Sequence, residues 1–217
     1  MGDDSPVISE FDATCHQRMP GSVGPVFCEI RHSVIYLYGV QKLWFELFWN
    51  DQAEEVLYYT SPFFANVVRE SMLRDLLMTV ARLTDPPSSG GPGKENLSLG
   101  RLLLEISEAG DAFLADQLRA PIESIELKAN DIRTIRKKVL AHVDLAIAIA
   151  PAPPRLPETT RELYEELVAH MVNVLNHVER HYRQSMTDYT SNAASHAAQV
   201  VLYALQKFRE SRQAGRY

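Results

Sequence analysis

From Cys28 to Arg212 the apolar residues return every three or four positions, and nowhere do they settle into strict alternation with polar ones. This rhythm constrains the chain more than any other feature. Residues three and four apart share a face of an α-helix, whereas a half-buried strand needs a period of two. The expectation is an all-α protein, an up-and-down helical bundle with additional short helices. Ile30, Val34, Leu37, Tyr38, Leu43, Phe45 and Phe48 mark a first buried helix from about Cys28 to Asn50, and DQAEEVLYYT reads as a short one after it. Ser61-Pro62 has the pattern of a helix start, a capping side chain followed by proline in the first turn. That helix is expected to run to about Thr84 with Phe63, Val67, Met72, Leu76, Val80 and Leu83 as its core stripe.

Asp85-Pro86-Pro87 and then SSGGPGKEN predict a flexible loop. Ser98 is placed to cap a short helix, LGRLLLEIS, and AFLADQL forms a further short segment. A long helix is expected over 122–149 and is stopped by APAPPRLP, because proline has no N–H for the helical ladder. Helices over about 158–185 and 192–212 complete a helical domain spanning 26–217. Residues 1–25 hold Pro6, Pro20, Gly21, Gly24 and Pro25 without a sustained period, and read as a flexible N-terminal leader in which VISEFD is a short docked piece.

The net charge of -6 argues against a surface that coats nucleic acid generally, while leaving room for a local phosphate site. Cys15 and Cys28 lie in no CxxC or Cys/His cluster, so no metal site and no cofactor is expected from them. They read as reduced thiols, with a single disulfide as the other reading. The acidic start MGDDSPVISEFD lacks a secretory pattern, and no stretch of about 18 uninterrupted apolar residues predicts a membrane span. A soluble, cytoplasmic protein with no membrane partner is expected.

One helix carries the chemistry. In ESIELKANDIRTIRKKVLAHVDLAIAIA, the residues Ile132, Ile135, Val139, His142, Ala146 and Ile149 recur at steps of three and four and form the core-facing stripe. Arg136, Leu140, Val143 and Ile147 lie beside it. On periodicity alone His142 reads as a hydrogen-bonded core residue and Arg136 as an edge residue whose stem lies over the core.

The segment also resembles the HEPN superfamily, whose signature is an Arg, four to six residues, then a His on a bundle helix; here five residues separate Arg136 from His142. IRKKVLAHVD is similar to the core of the abortive-infection AbiU-like branch. Upstream, Ala81-Arg82-Leu83-Thr84-Asp85 closing a helix and Asn96-Leu97-Ser98-Leu99 opening the next also resemble that branch. The likeness covers about residues 28–185. Directly after the Arg, where many active members have Asn, Asp or His, this chain has Lys137.

The resemblance implies a metal-independent endoribonuclease, or an RNase-derived toxin or defence effector, in which the RNA 2′-hydroxyl attacks the neighbouring phosphate. The products would be a 2′,3′-cyclic phosphate and a 5′-hydroxyl end. His142 would transfer the proton, since imidazole titrates near neutrality. Arg136 would hold the phosphate oxygens as their charge grows. The resemblance also admits an antitoxin protein as a partner. Six helical steps translate by roughly 9 Å and turn the side chain by about 120°, so one straight helix presents Arg136 and His142 poorly to one phosphate. Two copies across a two-fold axis would bring both pairs to one cleft. A homodimer is therefore expected, with this helix near the axis.

Arg133, Lys137 and Lys138 read either as a basic rim for the RNA backbone or as a solvated face balanced by Asp131 and Asp144. The alternative to an enzyme is a non-catalytic helical dimer that binds RNA or a partner protein. On the following helix, His177 and His181 have a spacing that can bind a metal, but no acidic or Cys partner is near in sequence, and they read with His170 as polar residues beside a Leu163, Leu167, Val174, Val178 stripe. Arg82 and Asp85 read as a cap or pair at a helix end. GGPGKEN lacks the spacing of a phosphate loop.

Overall fold

A computed structural model of the chain describes residues 9–91, 93–140, 159–189 and 193–214, with the backbone alone at 139 and 140. Among these residues the architecture is all-α, as the apolar rhythm predicts. The helices are α1 (Glu10–Arg18), α2 (Val23–Phe48), α3 (Asp51–Thr60), α4 (Pro62–Leu83), α5 (Leu99–Glu108), α6 (Ala112–Lys128) and α7 (Asn130–Ile135). A π-helical turn over Arg136–Leu140 follows, then α8 (Arg161–Arg183) and α9 (Ala193–Gln213). An isolated antiparallel bridge pairs Ser88 with Glu95. No helix among the described residues is long and apolar enough to cross a membrane.

The chain divides into two compact units, each assembled from separate segments. The first takes residues 1–34, 82–129 and 169–187. Its core is made by Phe27, Ile30, Leu102, Ile106, Leu118, Ile122 and Leu175, all at or below 1% exposure. Burying each such side chain stabilises the fold by about 1.5–3 kcal/mol before chain entropy is counted. Ser98 and Asp111 cap α5 and α6 by accepting the Arg101 and Leu114 N–H groups at 3.2 and 3.1 Å.

The second unit takes residues 35–81, 130–168 and 188–217. Leu37, Leu76, Val80, Ile132 and Leu167 are buried there, beside an aromatic cluster in which Trp49 meets Trp44 and Phe45 edge-on at 5.0 and 5.3 Å. Arg209 ties α9 to α3: it donates to Glu55 Oε1 at 2.7 Å and lies over the Tyr59 ring.

Four sequence expectations change. The supposed leader holds an ordered helix. Ser9 Oγ accepts the Asp12 N–H at 3.1 Å and donates to the Asp12 carboxylate, which starts α1, and Cys15 on that helix, Met19 at its C-cap and Val23 at the start of α2 are buried. Residues 1–8 lie outside the described residues. Phe11 is held between two guanidinium groups, with Arg31 and Arg183 Cζ at 3.7 and 3.9 Å from the ring centre. The close approach of α1 and α2 needs Gly24. A Cβ there would lie 2.8 Å from the Cys15 carbonyl oxygen and 3.0 Å from His16 Cα. Gly24→Ala is expected to destabilise the protein by about 1–3 kcal/mol through overpacking. The check is a lower denaturant midpoint at unchanged slope, and an unmoved midpoint would mean that the two helices can separate freely.

Second, the break expected near residue 120 is absent. Pro121 sits inside α6, where it cannot donate to the Gln117 carbonyl. Buried Leu118, Ile122 and Ile125 carry the helix through that missing bond. The break comes instead at Ala129, whose N–H bonds back to Ile125 and Leu127. The long helix expected over 122–149 is therefore divided into the end of α6, α7 and the π turn as far as Leu140; residues 141–149 and the stop at 150–157 lie outside the described residues. Third, the α4 stripe holds only from Leu76 onward. Phe63 and Val67 are 81% and 46% exposed, and the buried side chain in that turn is Ala65. Fourth, the loop after α4 is held together by Asn96, whose Nδ2 donates to the Pro86 carbonyl at 2.7 Å and whose N–H donates to Pro87.

Candidate active site

The segment bearing the Arg and His is anchored by its apolar residues. Ile132 is fully buried and Ile135 is 8% exposed, the first two members of the expected stripe. Thr134 Oγ1 donates back to the Asn130 carbonyl at 3.0 Å, occupying its hydroxyl within α7. Arg136 opens the π turn directly after Ile135. Such turns make i→i+5 hydrogen bonds, alter the angular spacing of side chains, and occur frequently at functional sites. The six-step separation of Arg136 and His142 is thus not spanned by regular α-helix along its first five residues.

Arg133 and Arg136 are half-buried, and each is engaged by neighbouring groups. Lys137 and Lys138 are exposed. The structure therefore brings the predicted cations Arg133, Arg136, Lys137 and Lys138 onto two consecutive short elements. His142 lies outside the described residues, as do Asp144 and the rest of the stripe.

Two histidines of α8, His177 and His181, go to separate partners in the first unit. His177 Nε2 lies 2.9 Å from Gln117 Oε1, and His181 Nε2 lies 2.7 Å from Asp111 Oδ2. Among the described residues no group of three or more His, Cys, Asp or Glu side chains is placed to hold a metal ion. Cys15 and Cys28 are free, buried thiols, and burial pushes the pKa of each up.

Asp111 does three jobs at once. It caps α6 through Leu114 N–H, accepts from the Tyr182 hydroxyl at 3.1 Å, and pairs with His181. Burial would raise its pKa; the Leu114 N–H, the Tyr182 hydroxyl and His181 outweigh burial and hold it below the ordinary carboxylate value. A carboxyl with a depressed folded pKa adds stability that is present above its unfolded pKa of about 3.9 and is lost as pH falls through the folded value. Asp111→Asn is expected to be about 1–2 kcal/mol less stable than wild type at pH 7, with the gap closing as the pH drops below about 4. Thermal melts of both proteins across pH 2–7 check this, and a pH-independent gap would mean that the charge is not what matters.

The sequence reading missed one arrangement. His170, Asn173 and His177 fall at i, i+3 and i+7 on α8, and with Leu118, Pro121 and Ser124 of α6 they line a cavity of about 350 Å³ in the first unit. The spacing was visible in the sequence; the facing helix was not.

Comparison with known protein families matches residues 27–201 to the HEPN_AbiU2 family, described as AbiU2. That span contains Arg133, Arg136, Lys137, Lys138 and His142. No curated protein and no solved structure matches the chain.

Proposed function

Because the chain belongs to the HEPN AbiU2 family over residues 27–201, we propose that it is a metal-independent endoribonuclease of the abortive-infection type, acting through Arg136 and His142. The observation that carries this reading is the family match across a segment that keeps the Arg, five residues, His spacing. The residues fit the chemistry. The His142 imidazole, with a reference pKa of about 6.5, takes the proton of the attacking 2′-hydroxyl or delivers one to the leaving 5′-oxygen. The Arg136 guanidinium stays charged and stabilises the phosphate as negative charge accumulates on its oxygens. Exposed Lys137 and Lys138 beside it supply a rim for flanking phosphates.

The site is completed by a second copy of the chain. The buried Ile132 and Ile135 fix α7 in its own unit, and a two-fold axis near the π turn would place two Arg136–His142 pairs around one phosphate. Light scattering at micromolar concentration is expected to give twice the chain mass of 24.5 kDa; a monomer would count against the shared site.

The test of function is incubation with total RNA in the presence of a chelator. Cleavage by wild type and its loss in Arg136→Ala is the expected result. Lys137 favours a second reading, a dimer that binds RNA or a partner protein without cutting, because many active members have Asn, Asp or His there. A stable dimer that binds RNA and leaves every RNA intact would favour that second reading.

A further inference from the structure

α9 has two apolar faces, and the second unit covers one of them. Ala198 is fully buried and Leu202, Leu205 and Arg209 are half-buried, at steps of four, three and four along the side that packs on α3. Turned by about 120° from that side, Ala197, Val200, Val201 and Ala204 form a second stripe, and all four are exposed. Ala193 and Phe208, exposed as well, extend it at either end. Val200 keeps 54% of its surface in water. From Ala193 to Gln206 the helix carries no Asp, Glu, Lys or Arg. A helix face meant for water is charged or polar, whereas an exposed apolar patch depleted of charge marks the centre of an interface.

The spacing of the stripe says what covers it. Steps of four, three, one, three and four lead from Ala193 through Ala197, Val200, Val201 and Ala204 to Phe208. Read backwards, the steps are the same. An antiparallel copy of α9, related by a two-fold axis between Val200 and Val201, therefore sets Val200 against Val201, Ala197 against Ala204 and Ala193 against Phe208. Such reciprocal pairing is what a two-fold contact requires. The alanines let two helix axes approach to about 8 Å, and the small Ala193 meets the large Phe208. Charge selects the same orientation. Lys207, Arg209 and Arg212 crowd the C-terminal end of α9. A parallel copy would set these cations side by side, whereas the antiparallel one holds them at opposite ends. Exposed Tyr203 flanks the stripe, and exposed Tyr59 borders it through Arg209, whose Cζ lies 5.0 Å from the ring centre. With Phe63 and Phe64, which follow on α4, the exposed apolar surface is of the order of the ~800 Å² that each partner brings to a standard interface. We infer that α9 is a self-association helix, pairing antiparallel with α9 of a second copy about Val200 and Val201.

The pairing rests on the shared-site reading only in taking one two-fold axis to serve both α9 and the π turn, which belong to the same compact unit. Light scattering compares full-length wild type with Val200→Glu plus Val201→Glu and with Ala197→Glu plus Ala204→Glu. All four positions are exposed, so both variants should keep the far-ultraviolet circular dichroism of wild type. Each should raise the dimer Kd about hundredfold or more, because pairing would bury unpartnered carboxylates. Cross-linking reads the register. Ala197→Cys co-expressed with Ala204→Cys should form an intermolecular disulfide in oxidised glutathione. Ala197→Cys alone should not, since its two copies lie roughly 10 Å apart along the helix axes. A wild-type monomer would overturn the pairing and leave the face for a helix of another protein. A dimer that survives both glutamate variants, or a disulfide formed as readily by Ala197→Cys alone, would overturn the pairing and leave the Arg136–His142 reading standing. Glutamate variants that are monomeric and cleave RNA at the wild-type rate would uphold the pairing and overturn the shared site.

Discussion

Replacing Glu179 with alanine is expected to lower the stability of the protein by about 3–5 kcal/mol, the cost of breaking a buried ion pair from one side. Glu179 is 2% exposed, and it is fully occupied. Oε1 accepts from Arg183 at 3.3 Å and from Ser185 at 2.9 Å, and Oε2 accepts from the Thr187 hydroxyl at 2.7 Å. Thr187 in turn accepts from Arg31 Nε, and Arg31 and Arg183 enclose Phe11. The carboxylate therefore organises the end of α8 and, through the two arginines, the seat of α1. Without it Arg183 is left largely buried with no compensating charge, and its Nε already lacks a hydrogen-bond partner. For a chain of this size the loss corresponds to a fall in Tm of roughly 10 °C or more. Thermal denaturation followed by circular dichroism reads it. Glu179→Gln should fall between the two, keeping acceptance and losing charge. Glu179→Leu combined with Arg183→Met should recover much of the loss, because a well-packed apolar pair spares both desolvation terms. A drop below about 1 kcal/mol in Glu179→Ala would mean that the network behaves as a surface pair.

The second large effect is on chemistry. His142→Ala is expected to lower the rate of RNA cleavage by about 10²- to 10⁴-fold, the usual contribution of a positioned general acid or base. Arg136→Lys should also lose activity, since an ammonium keeps the charge and loses the planar fork that grips two phosphate oxygens. The two roles of His142 that the sequence allows, core residue and proton-transfer residue, separate on stability. A catalytic His142 gives an alanine variant that cleaves poorly and melts near the wild-type temperature. A core His142 gives one that loses its fold along with its activity.

The features that were legible in the sequence are those set by local rules. Apolar periodicity located α2, α4, α5, α8 and α9, and the capping role of Ser98 could be read directly from its place before LGRLLLEIS. The misreadings share a cause: a local signal overruled by tertiary packing. Pro20, Gly21 and Gly24 looked like leader residues, but Gly24 is small because α1 crosses α2 at its backbone. The Ser9 to Asp12 capping pattern was the available sign of α1. AFLADQL and the start of the helix expected over 122–149 read as separate, but the buried residues on either side of Pro121 keep α6 whole. Phe63 fitted a helical stripe and is nonetheless exposed, because periodicity identifies a face without saying how far along the helix that face stays covered.

The candidate site divides in the same way. The Arg136 to His142 spacing and the cations around it are properties of one segment and could be read from it. The π turn beginning at Arg136 could not, since a change of hydrogen-bond register leaves no mark in the apolar periodicity. The α6–α8 cavity could not be read either, because half of its lining comes from residues some fifty positions away in sequence.

The central claim, RNA cleavage by 2′-hydroxyl attack at Arg136 and His142, is tested most directly by the ends it leaves. A defined oligoribonucleotide is incubated with wild-type protein in excess chelator, and both product ends are identified by mass spectrometry, with His142→Ala in parallel. The account predicts a 2′,3′-cyclic phosphate on one fragment, a 5′-hydroxyl on the other, and neither product from the variant. Fragments carrying 5′-phosphates, or cyclic ends formed equally well by His142→Ala, would contradict it.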